Sequence, residues 1–267
     1  MKNENSLDSL CGALCYAMGI APPAQSAAPS ARLCAYVDEK LADQKADRIV
    51  MYNPDAIAQW IYEKYPHMLA EMTARTELSL PLCSVMPSVT PVCFGTMYTG
   101  AQPEVHGIRA YVKPVIAIDT IYDALLRAGK RPAIVSTGND SMSKIFLERD
   151  MDYFIFDTME QVNAKAVELI LQDRHDFIAI YNGSYDTIMH KYGPESPEAL
   201  GELRANSRTF GMLDSLIREH WTQHNTLLGF AMDHGCHEID GACGSHGLDM
   251  DEDLNILHRY VLYPAQT

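Results

Sequence analysis

Asp233 and His234 close an apolar run, Leu227 to Met232, and a carboxylate beside an imidazole can offer lone pairs to one divalent metal. Alone, the pair reads as an acidic turn ended by Gly235. Asp186 and His190 supply a second pair, four residues apart. If a helical turn begins there, that spacing puts both side chains on one face, where they can share a metal or simply a hydrogen bond. His246, between Gly244 and Gly247, lies in a stretch too poor in apolar residues to be core and can reach back toward the other two pairs. His237, Glu238 and Asp240 lie nearby without a partner spacing. Thr90 precedes Pro91, a pattern that places a hydroxyl at a helix start. There it can serve as an N-cap, or, because helix N-termini favour anions, as a nucleophile toward phosphorus.

These residues must be carried by strands that end near one another. Arg48 to Tyr52, Arg131 to Ser136, residues 152 to 156, residues 176 to 181 and Leu227 to Met232 read as strands, and the first runs into Asn53-Pro54-Asp55. Helical spacing covers residues 6 to 20, 31 to 45, 56 to 72, 118 to 129, 140 to 149, 158 to 171 and 197 to 221, and Glu77 to Val85 is a further extended candidate. Strands alternating with helices of this length predict an α/β fold: a three-layer α/β/α sandwich around a mostly parallel sheet. Ligands of such sheets bind beyond the carboxyl ends of the strands, which is where the candidate residues fall. The expected organisation is one α/β domain over residues 1 to 267, with an N-terminal helical extension of about residues 1 to 46.

The net charge of -14 and a pI near 5.0 argue against a nucleic-acid backbone or an anionic membrane as the main partner. Seven scattered cysteines show no disulfide-framework spacing and point to a reducing, cytoplasmic setting. Cys11-x-x-x-Cys15 has no second ligand pair at finger spacing, so buried helix thiols are expected there. The polar start, with Asn3, Glu4, Asn5 and Asp8, is unlike a secretory signal, and no run approaches the roughly 18 apolar residues of a membrane span. Oligomeric state is not legible.

Taken together, the motifs resemble the alkaline phosphatase superfamily, most closely its nucleotide pyrophosphatase/phosphodiesterase branch. The carrying residues are Thr90, then Thr99-Gly100, Pro103-Glu104 and His106-Gly107-Ile108; Asp186, His190, Gly193 and Pro194; Asp233-His234-Gly235; and His246-Gly247. They keep the family's order over roughly residues 48 to 260. The resemblance implies a phosphate-ester hydrolase acting through a phospho-threonine on Thr90, with phosphodiester or nucleotide pyrophosphate bonds ahead of monoesters and a small phosphorylated substrate such as a nucleotide.

It further implies two divalent ions, one held by Asp233, His234 and the Thr90 oxygen and the other by Asp186, His190 and His246. Such a pair can clamp the attacking and leaving oxygens of an in-line displacement. The mixed nitrogen and carboxylate ligation suits zinc, with manganese or iron as alternatives. The chain departs from the family pattern twice. Asn53 stands where family members place an aspartate of the first metal site, so either Asn53 binds through its carbonyl oxygen or Asp55 replaces it. Cys93 stands where an asparagine is usual. A sulfatase is disfavoured, because no Cys/Ser-x-Pro-x-Arg run occurs. A phosphomutase or a non-catalytic metal- or nucleotide-binding member remains as the alternative.

Overall fold

A computed structural model describes residues 1 to 240 and 243 to 266. Nine strands occur among them: β1 (Arg48–Pro54), β2 (Leu78–Cys83), β3 (Pro132–Thr137), β4 (Asp152–Phe156), β5 (Phe177–Asn182), β6 (Thr226–Phe230), β7 (His237–Ile239), β8 (Cys243–Ser245) and β9 (Asn255–Tyr263). Seven form one sheet in the order β2-β9-β6-β1-β5-β3-β4, and β7 pairs with β8 in a separate ribbon. The run β6-β1-β5-β3-β4 is parallel, and β9 lies antiparallel to both β6 and β2.

The central strands are apolar because both of their faces are covered. Ile49 to Tyr52 of β1 and Phe177 to Ile180 of β5 are fully buried. The helices Met159–Gln172 and Pro197–His220 pack together along one face. On the other, the helix Thr90–Thr99 packs against Ser9–Met18, Ile121–Arg127 and Met142–Ile145. The α/β sandwich expected from the alternating pattern is therefore present. Cys11 and Cys15 are buried thiols within Ser9–Met18, and all seven cysteines are free.

Several boundaries differ from the sequence expectation. The helix expected over residues 56 to 72 is broken into Gln59–Lys64, a 3-10 turn Pro66–Leu69 and Ala70–Thr73, because Pro66 cannot continue a helix interior. The helix expected over 140 to 149 is only Met142–Ile145. Ala231 and Met232 fall beyond β6, although Ala231 still donates its N–H to the Tyr52 carbonyl. The antiparallel β9 shows no alternation in sequence because six of its nine residues are buried, in two runs of three.

Tyr98 fastens the Thr90–Thr99 helix to the sheet. Its ring lies 5.6 to 6.3 Å from those of Phe94, Tyr122, Phe146 and Phe177, in the offset and edge-on arrangements that aromatic pairs prefer. The start of that helix, and hence Thr90, is set by this packing.

Candidate active site and metal centre

The carboxyl ends of β1, β5 and β6 are neighbours, because β1 pairs with both others in register. Each strand runs into a candidate residue. Asp55 follows β1, Asp186 lies in the first turn of the helix Ser184–Tyr192 after β5, and Asp233-His234 comes three residues after β6. His246 arrives from the turn after β8. Two groups of side chains result, Asp55 with Asp233 and His234, and Asp186 with His190 and His246, each with its ligand atoms within 4.8 Å of one another. The rings of His234 and His246 stack at 4.1 Å, so the groups are adjacent.

The hydrogen bonds settle which atoms face inward. Nδ1 of His234 lies 2.9 Å from the Gly235 carbonyl, Nδ1 of His190 3.0 Å from that of Gly244, and Nδ1 of His246 2.9 Å from that of Ser88. A carbonyl only accepts, so each Nδ1 carries a proton, and in the neutral imidazole each Nε2 then presents a lone pair. Those lone pairs point at further lone pairs. His234 Nε2 lies 3.3 Å from both Asp55 Oδ1 and Asp233 Oδ2. His190 and His246 Nε2 are 3.1 Å apart, and lie 3.3 and 3.4 Å from Asp186 Oδ1. Asp55 Oδ1, Asp186 Oδ1 and Asp233 Oδ2 are buried and have no hydrogen-bond partner among the described residues. Buried acceptors converging on acceptors are costly unless a cation lies between them. The donor set, two carboxylates and one imidazole beside one carboxylate and two imidazoles, fits two divalent ions, with each imidazole oriented by a carbonyl behind it.

The electrostatics agree. Burial, and next the nearby Asp186 charge, push the Asp55 carboxyl up to about 7. Asp233 is likewise raised, by burial and then by Asp55. Burial raises Asp186, yet His190 and His246 beside it, when protonated, hold it well below the usual carboxylate range. Burial pushes His234 down, whereas Asp186 raises His190. His246 is raised as well, with Asp186 outweighing its burial.

Thr90 sits between the groups' carriers, 3 % exposed, with Oγ1 3.3 Å from Asp55 Oδ2 and 3.3 Å from His234 Nε2. Thr90 is itself the first helical residue, after the extended Val89 and before Pro91, and the cap position makes no side-chain hydrogen bond, so Thr90 does not serve as the expected N-cap. The structure thus brings Thr90, Asp186, His190, Asp233, His234 and His246 together.

Asn53 stands apart from them. It is fully buried, but its Nδ2 donates to the Ala231 carbonyl at 2.7 Å and its Oδ1 accepts from Tyr98 Oη at 2.7 Å. Both ends of the amide are engaged, and Asp55, two residues on, occupies the carboxylate position instead. The reading of Asn53 as a ligand is corrected accordingly: Asn53 ties the end of β1 to the Thr90 helix. Asn53→Asp should therefore not tighten metal binding. It removes the donor to Ala231 and buries a carboxylate against a carbonyl, so chemical denaturation should report a loss of about 2–4 kcal/mol.

Cys93 is fully buried, with Sγ 3.2 Å from Ser84 Oγ, while Ser84 Oγ donates to the Asp233 carbonyl at 2.6 Å. It lies behind the site and supports it. Tyr181 went unnoticed in the sequence. It is the penultimate residue of β5, and its hydroxyl donates to Asp55 Oδ2 at 2.5 Å; a tyrosine where an apolar strand gives way to Asn-Gly is the available signal. Beside the site opens a cavity of about 540 Å³ lined by Asp55, Asp186, Tyr181, Tyr111, Lys113 and Asp140 among others. Tyr111 and Lys113 belong to the loop 108 to 114. Of the segment 236 to 244 that leads toward His246, residues 241 and 242 lie outside the described residues.

The family model for type I phosphodiesterase / nucleotide pyrophosphatase matches residues 119–261. Human ectonucleotide pyrophosphatase/phosphodiesterase family member 7 is 39% identical over 70 residues, 26% of this chain and 15% of that protein. Venom phosphodiesterase 2 of Crotalus adamanteus is 36% identical over 75 residues, 28% of this chain and 9% of that protein. The chain thus spans a small part of the curated relatives it matches. Among solved structures, murine ectonucleotide pyrophosphatase / phosphodiesterase 5 superposes with a TM-score of 0.59 at 16% identity, covering 72% of this chain and 58% of that one. Phosphonoacetate hydrolase from Sinorhizobium meliloti 1021 does so with a TM-score of 0.55 at 20% identity, covering 74% and 59%. These two likenesses concern the fold. The family match covers more than half of the chain and runs through the Asp186, Asp233 and His246 motifs, so the chain belongs to the type I phosphodiesterase / nucleotide pyrophosphatase family within the alkaline phosphatase superfamily.

Proposed function

We propose that this chain is a metal-dependent hydrolase of phosphate esters that works through a phospho-threonine on Thr90, with phosphodiester or nucleotide pyrophosphate bonds ahead of monoesters. The observation that carries this reading is the convergence of three orphaned carboxylate oxygens and three imidazole Nε2 lone pairs beside a buried threonine hydroxyl. Asp55, Asp233, His234 and the Thr90 oxygen would hold one ion, and Asp186, His190 and His246 the other, with zinc the first choice for this nitrogen-rich set and manganese or iron as alternatives. Bound there, two divalent ions supply charge neutralisation for the phosphoryl oxygens and favour the alkoxide of Thr90.

The chain's own residues do the rest. Thr90 Oγ1, beside Asp55 and His234, forms the bond to phosphorus as the ester oxygen departs. Water then cleaves the phospho-threonine and returns the hydroxyl. Tyr181 and the Ala56 N–H keep Asp55 and Asp233 oriented through their outer oxygens. The 540 Å³ cavity offers room for the substituent on the far side of the phosphorus, which is why diesters are placed first. A nucleotide is a reasonable substituent, since an inactive variant of murine ectonucleotide pyrophosphatase / phosphodiesterase 5 was solved in complex with AMP. The best support for a non-catalytic member is Asn53 standing where the family has an aspartate, and the grouping of Asp55 with Asp233 and His234 weighs against it.

The direct test compares hydrolysis of bis-nitrophenyl phosphate with that of nitrophenyl phosphate by zinc-loaded protein. The diester is expected to have the higher kcat/KM, by roughly tenfold, which corresponds to about 1.4 kcal/mol in the transition state. A preference for the monoester reverses the ranking of substrates, and absence of both activities removes the hydrolase.

A further inference from the structure

The two histidine-bearing loops converge on one buried residue that belongs to neither metal group. Asp253, fully buried in the short helix Asp251–Leu254, accepts from His237 Nδ1 at Oδ1, 2.7 Å away, and from the Leu248 N–H at Oδ2, 2.8 Å away. Its backbone carbonyl accepts from the Gly235 N–H at 2.8 Å. Leu248 lies two residues after His246, and Gly235 directly follows His234. The approach at Gly235 is close: a Cβ there would stand 2.0 Å from the Glu252 carbonyl oxygen. Asp253 therefore touches the chain just beyond one histidine of each group.

We propose that Asp253 is a positioning residue for His246: its side chain holds the turn after β8 so that His246 Nε2 meets Asp186. The inference rests on the two-metal reading. His246 leaves a ribbon of only three residues per strand that is held at Gly244 against Met189, and the turn beyond it carries Leu248, which is 55% exposed. Apart from the Ser88 carbonyl behind its ring, the Asp253 carboxylate is the buried polar anchor of this turn. His234 needs no such support from the side chain, because its link to Asp253 runs through the backbone carbonyl and survives substitution. The effect of removing the carboxylate should consequently be selective.

Zinc uptake by metal-free protein, followed by calorimetry against a competing chelator, tests this. Wild type is expected to take up two equivalents, and His246→Ala to lose one of them. Asp253→Leu, which keeps the branched shape but accepts from neither donor, should weaken that same equivalent by about tenfold or more, the usual effect of losing an outer-shell partner. The other equivalent should keep its wild-type affinity. Asp253→Asn retains one acceptor for the Leu248 N–H and should restore most of the loss. Simple structural support would instead lower both equivalents together with the unfolding temperature, so equal weakening of both, or of neither, overturns the inference. A wild-type protein that takes up no zinc overturns the metal reading beneath it as well. Should Asp253→Leu not fold, Gly247→Ala strains the same turn, since Gly247 has φ 106°; selective loss there supports the inference and unchanged uptake overturns it.

Discussion

Thr90→Ala is expected to lower turnover of a nitrophenyl phosphodiester by on the order of 10³-fold or more, as removal of a nucleophile does when the surrounding electrostatics remain. The same variant should keep close to its full metal content, because Asp55, Asp233 and His234 stay in place and the hydroxyl is only one donor among four. Stability should change little: the lost methyl and hydroxyl are small, and Oγ1 makes only the long 3.3 Å contacts to Asp55 and His234. Steady-state kinetics paired with metal analysis checks both halves. Full activity in Thr90→Ala would remove Thr90 as nucleophile, and loss of metal with activity would make it a ligand rather than an attacking group.

Chelation should produce the second large effect. Each ion held at a hundredfold excess over its Kd contributes about 2.7 kcal/mol to folding, and for a chain of this size each kcal/mol moves the unfolding temperature by about 2–4 °C. The stabilisation should also grow with pH. Asp55 is pushed up to about 7 in the metal-free protein, so its contribution to stability is present below the ordinary carboxylate range and is lost as pH rises through about 7. A metal bound there would replace the proton. His190 and His246, raised by Asp186, must also give up protons to become ligands, which weakens binding in acid. Thermal unfolding with and without zinc between pH 5 and 8 should show a widening gap; a gap that narrows toward pH 8 would contradict this account. Asp55→Ala should abolish the pH-dependent part attributed to that carboxylate, and turnover with it.

The layout of the fold was open to sequence reading wherever burial leaves a continuous apolar run. β1, β5 and β6 were placed to within a residue or two because strands covered on both faces can hardly be anything but apolar. β9 was not, since an antiparallel strand buried on both faces lacks the alternation that would reveal it. The helix over residues 140 to 149 shrank to one turn, as local periodicity carries no information about how the chain must bend to reach β4.

The sequence by itself determined which residue types end the strands: Asp186 and His190 at helical spacing, Asp233 beside His234, Thr90 before a proline, and His246 between glycines. Motif order along the chain was enough for the family. Only the tertiary structure decided between Asn53 and Asp55. Both lie at the same strand end, and nothing local distinguishes them. The difference is made by Tyr98 and Ala231, which are 45 and 178 residues away in sequence and engage both ends of the Asn53 amide. Pairing of β1 with β5 and β6 likewise sets Asp55 against Tyr181, Asp233 and His234. The direction in which a carboxylate points depends on which distant hydrogen-bond partners claim its neighbours, and those contacts exist only once the sheet has formed.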